Sequence, residues 1–314
     1  MEIIENIYLI QSKTPFRYPM KTYFIDDEKT CLIDTSAEEN PQTLIQGLKT
    51  LGKSLLDIDF ILITHVHLEH IRSLAYLKKH IPNCQILTSP RNADYLANYE
   101  KYTQAVFQNF PGEFKDIPGL FDFYYNLFSP VKSVQVDAEI KEGDTLSLGN
   151  LTLEVLETPG HCAEEISFYC KENKVLFSGD FIVGNDRETW IAINPIMHDY
   201  GGNRKKYLTS LSKIAQLEEK IDLILPAHGS IITNPKEKIE DLLTLTPKAH
   251  NKVLKLLETR GPKTLPELVE LYSGRQLKKT MKFYHLSRLM RALLNYLLEE
   301  DQIIQQEDRY FLHK

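Results

Sequence analysis

The chain has 314 residues, 42% of them hydrophobic, which is enough for one large domain with a buried core and a smaller second one. Its formal net charge of -6 excludes a general electrostatic attraction to nucleic acid or anionic membranes. The four cysteines lack C-x-x-C spacing, which argues against a zinc ribbon. The start MEIIENIYLI is acidic, unlike a signal peptide, and no apolar run approaches the roughly 18 residues of a membrane span. We therefore expect a cytoplasmic protein.

Five apolar, strand-like runs recur along the first 230 residues, and each ends in side chains that can bind a metal ion. In chain order the runs are CLIDT, FILITHVHLEH, LTLEVLETPGH, KVLFSGD and LILPAHG, and they end at Asp34, at His65, His67, Glu69 and His70, at His161, at Asp180 and at His228. Apolar residues at helical spacing follow the second run, so its histidines lie in a strand-to-helix loop. Because loops at one edge of a sheet can gather distant residues, the pattern predicts a single site.

Residues from about 89 to 135 interrupt this rhythm with few strand signals and many aromatic residues, which predicts a largely helical insertion. These aromatic side chains either pack the insertion against the main body or a second subunit, which leaves a homodimer open, or form an apolar lid over the site.

A further segment, FIVGNDRETWIAINPIMHDYGG, lies between the Asp180 and His228 runs and is expected to overhang the same edge. Trp190, His198 and Tyr200 are therefore candidate substrate contacts. Packing of Trp190 beneath the loop explains that residue equally well.

The composition changes from acidic to basic near residue 246. Residues 1–245 carry 24 lysines and arginines against 35 acids, and residues 246–314 carry 13 against 8. We therefore expect a catalytic domain over 1–245 and a winged-helix-like domain over 246–314. The latter comprises a helix over 247–259, a second helix opened by a capping box of Thr264 and Glu267, a third helix and a β-hairpin. A winged helix often binds nucleic acid, although packing on the main domain or dimerisation explains it at least as well.

The histidine cluster THVHLEH has the pattern of a metal centre. His65 and His67 alternate along an extended segment and can point one way, whereas His70 follows a turn and points elsewhere, so one loop can serve two ions. Together with His161, the first two histidines would form a three-histidine site with an open position for water, which is typical of catalytic zinc.

A second ion requires further ligands at the neighbouring strand ends. Asp180 is the carboxylate that could bridge two ions, and His70 and His228 would complete the second site. Two ions roughly 3.5 to 4 Å apart activate a shared water, which predicts hydrolysis. Asp34 is expected to orient the histidine loop through hydrogen bonds.

With these motifs the chain resembles the metallo-β-lactamase superfamily, over roughly residues 1–240. The resemblance implies an α/β fold, a four-layer αββα sandwich with a dinuclear centre at one edge. It carries over His65, His67 and His161 to the first ion, His70 and His228 to the second, and Asp180 as the bridge. The basic tail resembles the winged-helix extension of a subgroup that includes an endoribonuclease, whereas the insertion and the segment HIRSLAYLKKHIPNCQILTSP are similar to a thioesterase-type branch.

Glu69 departs from the family pattern His-x-His-x-Asp-His. The family's aspartate ligates the second ion or handles protons, so the resemblance implies that Glu69 does the same, and Glu69 and Asp180 are the expected catalytic carboxylates. Zn²⁺ is the expected ion, with Fe or Mn as alternatives.

These features predict a metal-dependent hydrolase that uses a metal-activated water, with a small-molecule thioester or ester as the expected substrate. One alternative is an endoribonuclease-type phosphodiester hydrolase fed by the basic tail. Another is a non-catalytic binding or regulatory protein whose metal site is degenerate because of Glu69.

Overall fold

The structure, a computed structural model, describes residues 1–14, 19–108, 119, 131–184, 201–217, 220–276 and 281–313. Within them, seven strands form a first sheet in chain order: β1 (Glu2–Ile4), β2 (Ile7–Ser12), β3 (Met20–Asp26), β4 (Thr30–Ile33), β5 (Phe60–Leu62), β6 (Gln85–Thr88) and β7 (Ala138–Glu139). The strands β1 to β4 are antiparallel, and β4 to β7 are parallel.

The second sheet is also mixed. Its strands are β8 (Thr145–Ser147), β9 (Thr152–Glu157), β10 (Ile166–Cys170), β11 (Val175–Gly179) and β12 (Leu223–Pro226). They lie in the order β12-β11-β10-β9-β8, and only the pair β11 and β12 is parallel among these described strands.

Helices connect and cover the strands. They are α1 (Gln42–Thr50), α2 (Leu68–Ile71), α3 (Leu74–His80), α4 (Pro90–Ala97), α5 (Tyr99–Gln108), α6 (Arg204–Ala215), α7 (Pro235–Arg260), α8 (Leu265–Ser273) and α9 (Met281–Glu299), with a short 3-10 helix at Leu55–Asp57. Several begin at capping side chains, because Ser89, Asn203 and Asn234 each accept a hydrogen bond from a backbone N–H of the first turn. None of the helices in the described ranges is long and apolar enough to cross a membrane.

Alternating side chains divide the core into layers. Along β3, Tyr23 and Ile25 face an apolar cluster shared by both sheets, whereas Phe24 faces the cluster on the opposite side with α1 and α3. Along β11, Phe177 joins the shared cluster, whereas Leu176 packs with α6 and α7. The two sheets therefore lie face to face between outer helices, which confirms the predicted four-layer α/β sandwich.

The polar ends of five strands meet at one edge of this sandwich. β4 and β5 run in the same direction, as do β9, β11 and β12. Next to the site the sheets are also joined directly, since the N–H of Ile166 donates to the carbonyl oxygen of Thr64 at 3.0 Å. This edge carries all the predicted metal ligands.

The described part of the predicted insertion is helical. The helices α4 and α5 occupy residues 90–97 and 99–108, and Tyr99 and Tyr102 are buried in the same apolar cluster as α3. Packing on the main body therefore accounts for these two aromatic residues. The rest of the insertion, residues 109–118 and 120–130, lies outside the described residues.

The C-terminal segment differs in one respect from the sequence expectation. The helix predicted over residues 247–259 begins already at Pro235, because Asn234 caps it and proline occupies its first position. It runs without interruption through the expected domain boundary at residue 245.

Downstream of this helix the elements follow the expected order. The capping box of Thr264 and Glu267 at the start of α8 is confirmed. The strands β13 (Lys263–Thr264), β14 (Ile303–Gln306) and β15 (Arg309–Leu312) form a sheet of order β13-β15-β14. This sequence of helices and strands is the one that a winged helix requires, and the winged-helix-like domain remains a prediction.

Candidate metal centre

Two groups of ligand-type side chains lie at the polar edge. The first comprises His65, His67, His161 and Asp180, and the second comprises Glu69, His70, Asp180 and His228. Within each group the ligand atoms all lie within 4.8 Å of one another, and all seven side chains belong to buried residues. The structure thus brings together every residue predicted as a metal ligand, and Asp180 is common to both groups.

The first group is centred on three imidazoles. The Nδ1 atom of His67 lies 2.9 Å from the Nε2 atom of His65 and 2.9 Å from the Nε2 atom of His161. Burial, followed by the neighbouring imidazoles, holds the pKa of His65 and of His67 well below the ordinary value. These two rings are therefore neutral, which is the form that binds a metal ion.

The second group surrounds the same aspartate. The Oδ2 atom of Asp180 lies 3.5 Å from the Nε2 atom of His228 and 3.7 Å from the Nε2 atom of His70. Glu69 reaches this group with its Oε1 atom, 3.8 Å from the Nε2 atom of His228. Burial would raise the pKa of Asp180, but His228, His70 and His161 outweigh it and lower that pKa, so the shared carboxylate is ionised.

Hydrogen bonds orient three of the imidazoles. The Oδ2 atom of Asp34 lies 2.8 Å from the Nδ1 atom of His70, and its Oδ1 atom accepts the backbone N–H of Thr64 at 2.8 Å. The Nδ1 atom of His65 lies 3.0 Å from the Thr64 hydroxyl, and that of His228 lies 2.9 Å from the carbonyl oxygen of Pro19. Each of these contacts uses Nδ1 and directs Nε2 towards the centre, which fixes the tautomer of a ligand.

Asp34 makes the contacts that its predicted orienting role requires. The sequence reasoning did not identify Thr64 or Pro19. Thr64 precedes the first histidine in THVHLEH, so its position was available as a signal. Pro19 acts through a main-chain carbonyl, which leaves no signature in the side-chain pattern.

The donor set fits two divalent ions. Among the described residues, the Nε2 atom of His70 and the Oδ1 atom of Asp180 are buried without a hydrogen-bond partner, although buried polar atoms are rarely left unpaired. Both belong to groups in which nitrogen and oxygen donors converge. Imidazole and carboxylate ligands suit Zn²⁺ and are also used by Fe and Mn. The identity of the ion therefore remains a prediction.

The surroundings of the centre give two further results on the predicted residues. Trp190, His198 and Tyr200, the candidate substrate contacts, lie outside the described residues. Cys162, directly after His161, is fully buried, and burial raises the pKa of its thiol well above the ordinary value. A buried, protonated thiol is a poor nucleophile, so Cys162 is unsuited to that role.

Similar proteins share this fold and sequence pattern. A family model described as the metallo-beta-lactamase superfamily matches residues 19–228. A beta-lactamase-like protein 2 homolog of Caenorhabditis elegans is 27% identical over 231 residues, which are 73% of this chain and 62% of that protein. The chain thus spans less than two thirds of the length of this relative.

Two further comparisons cover more of the other protein. Hydroxyacylglutathione hydrolase GloC of Haemophilus influenzae is 26% identical over 230 residues, which are 72% of this chain and 92% of that enzyme. The crystal structure of a metallo-beta-lactamase family protein from Thermus thermophilus matches 99% of this chain and 100% of that one, with a TM-score of 0.78 and 22% identity. At this identity the structural match establishes a common fold only.

Proposed function

The chain belongs to the metallo-beta-lactamase superfamily, and from this premise we propose that it is a metal-dependent hydrolase acting on a small-molecule thioester or ester. The observation that carries the proposal is the pair of ligand groups that share Asp180 at one edge of the sandwich. A single structural zinc site would use four protein ligands and would leave no position for water.

Each of the two ions would be held by its own set of residues. His65, His67 and His161 would hold one ion, and His70 and His228 would hold the other together with Glu69. Two bound divalent ions supply a water of lowered pKa, near about 7, and positive charge beside the attacked carbonyl group.

The chain's own contribution is orientation and charge. Neutral His65 and His67 present lone pairs, and the ionised carboxylate of Asp180 lies between the two groups. Asp34 and Thr64 hold the imidazoles in the tautomers that bind. Since these groups are buried and held by hydrogen bonds, they need little rearrangement during the reaction.

A thioester is favoured as the substrate by two considerations. Hydroxyacylglutathione, on which the Haemophilus influenzae relative acts according to its name, is a thioester. A thioester carbonyl also needs no protein nucleophile when an activated water is available, and Cys162 is unsuited to that role.

The endoribonuclease alternative has less support. A winged helix reads nucleic acid with a helix whose outer face is free to enter the major groove. In α9, the third helix of the C-terminal segment, only His285 and Glu299 are exposed among the described side chains from 283 to 299. The other described side chains of this helix are buried or half-buried, so little of its described surface is exposed.

The non-catalytic alternative also has less support. A degenerate site is expected to lose ligands, yet all six ligand-type partners of Asp180 are present, buried and convergent. Glu69 remains within reach of the second group, so the longer side chain does not remove this carboxylate from the site.

The decisive experiment compares acyl thioesters, including an S-(hydroxyacyl)glutathione, with single-stranded RNA as substrates of the zinc-loaded protein. We expect thiol release, its loss on chelation and in His161→Ala, and its recovery when zinc is returned to the parent. His80→Ala is the matched control, because His80 is an exposed histidine stacked on Tyr76 away from the ligand groups. RNA cleavage without thioester hydrolysis, or hydrolysis that survives in His161→Ala, would contradict the proposal.

A further inference from the structure

Glu165 is a buried acid that lies beside the metal centre without belonging to either ligand group. It immediately precedes β10, and its side chain is fully buried. Its Oε1 atom accepts the backbone N–H of Asp180 at 2.7 Å and lies 3.7 Å from the Nδ1 atom of His65. The Oε1 atom of Glu165 thus contacts both the backbone of Asp180, which the two ligand groups share, and the side chain of His65.

The end of β11 is shaped around this carboxylate. Gly179 has φ +53°, in the left-handed region, and a Cβ atom there would lie 2.8 Å from the Oε1 atom of Glu165 and 2.9 Å from the hydroxyl oxygen of Thr64. Only glycine therefore lets the strand end approach Glu165 so closely. Because glycine also leaves the backbone free to rotate, the residue that follows, Asp180, needs an external anchor.

A buried carboxyl group is costly unless it makes a hydrogen bond that repays its desolvation. Glu165 lies between three loops of the site, those that carry His65, His161 and Asp180. Its backbone carbonyl accepts the N–H of Thr158 at 2.9 Å, which fixes the loop that contains His161. The backbone of Glu165 is thereby held beside the loop that contains His161, next to the strand end that carries Asp180.

We propose that Glu165 is a positioning residue: its carboxylate fixes the backbone of Asp180 and so directs the ligand that the two groups share. This inference rests on the proposed function in that the two groups must hold metal ions. It assigns Glu165 no contact with substrate.

Three variants separate positioning from a general structural role. Glu165→Asp keeps the carboxyl group but is one methylene too short to reach the N–H of Asp180. Glu165→Gln keeps the reach and an oxygen that can accept this bond. Glu164→Gln is the matched control, because Glu164 is an equally buried neighbour whose Oε2 atom lies 3.6 Å from the Nε atom of Arg91 instead.

The measurement is the affinity for Co²⁺, by competition with a chelator, together with the visible absorption spectrum of the Co²⁺-loaded protein. Thermal unfolding of the metal-free forms checks that each variant folds. We expect Glu165→Asp to lose about 10- to 100-fold in affinity, the range for partners that orient ligands, with a changed spectrum. Glu165→Gln should stay within about tenfold of the parent, and Glu164→Gln should match it.

Parent affinity and spectrum in Glu165→Asp would overturn the inference. Equal losses in Glu165→Asp and Glu165→Gln would also overturn it, because the loss would then not depend on whether the side chain reaches the N–H of Asp180. If Glu165→Asp does not fold, Glu165→Gln decides, and a loss in it beyond about tenfold overturns the inference. Failure of the parent itself to bind Co²⁺ would instead overturn the proposed function, so the two failures are distinguishable.

Discussion

The substitution Asp34→Asn should disable the second ligand group selectively. In the parent, Asp34 uses both oxygens as acceptors, one for the backbone N–H of Thr64 and one for the Nδ1 atom of His70. An asparagine oxygen can replace only one of them. If it stays with Thr64, the amide NH₂ faces Nδ1 of His70, which must then accept, so that the proton moves to Nε2 and the lone pair directed at the metal is lost.

The size of the effect follows from these contacts. Loss of a partner that orients a ligand costs about 10- to 100-fold in metal affinity, or about 1.4 to 2.8 kcal/mol. The metal-free protein should lose a further amount, about 1 to 3 kcal/mol, if one buried group is left without its bond. Asp26→Asn is the control, since Asp26 forms a partly exposed ion pair with Lys53 at 2.6 Å, worth at most about 1 kcal/mol.

The assay is a competition titration with Zn²⁺ and a chelator, accompanied by urea unfolding of the metal-free protein. We expect two binding steps in the parent and a weakened second step in Asp34→Asn. Two steps of unchanged affinity in this variant would refute the reasoning, because they would show that His70 needs no orienting carboxylate.

Three further predictions follow from single residues. The parent should bind two metal equivalents, as measured by titration and elemental analysis. Glu69→Asp should bind the second ion more weakly, because the backbone at this position is placed for the longer side chain. Tighter binding of the second ion in Glu69→Asp would contradict this prediction. Gly179→Ala should lower the free energy of unfolding, measured in urea, more than Gly52→Ala does. Both glycines have a positive φ, but only a methyl group added at residue 179 would meet Glu165 and Thr64. Equal losses in the two variants would contradict this prediction. Burial, and then the charge of Arg204, lowers the pKa of His250 to about 3 from 6.5, so the unfolded state takes up a proton that the folded state excludes. The free energy of unfolding should therefore fall as the pH drops from about 6.5 to about 3, and less steeply in His250→Gln; the same slope in both would show that another group is responsible.

Much of the fold and the candidate ligand set could be predicted because each strand-end run carries its own signal. CLI, FILI and VLF are short continuous apolar runs, as expected for strands covered on both faces, and the structure buries them between the shared core and outer layers. Their polar ends then converge for a geometric reason, because parallel neighbours end at the same edge. Local pattern and global placement agree there, so the runs themselves indicated the strand ends and their convergence, whereas the four-layer sandwich was implied by the resemblance to the family.

Glu165 shows why the remainder of the site could not be predicted. In the sequence it stands beside Glu164, and two adjacent acids normally indicate a solvated surface. Both are buried because the loop between β9 and β10 folds inward over the ends of other strands, where Oε1 of Glu165 meets the N–H of Asp180. This contact joins residues 15 positions apart through a backbone donor, which no side-chain pattern encodes.

In the C-terminal segment the sequence predicted the order of helices and strands, but it did not predict how these elements pack. In the sequence of α9 the apolar residues recur at helical spacing, which indicates one buried face, and the stripe comprises Phe283, Leu286, Met290, Leu293 and Leu297. Polar residues of this helix, such as Ser287 and Arg288, are buried as well. Polar contacts also join this helix to its neighbours: the buried Arg204 of α6 donates from Nε to the Nε2 atom of His250 at 2.6 Å, and the His250 ring stacks on Tyr296 of α9 at 4.1 Å.

These contacts tie α6, α7 and α9 together through polar groups that are spread over nearly a hundred residues. Through these contacts α9 packs against α6 and α7, which limits the surface that it can present to a partner. For this reason the helix–strand order of a winged helix is weak evidence for nucleic-acid binding here, and burial of its third helix is the stronger criterion.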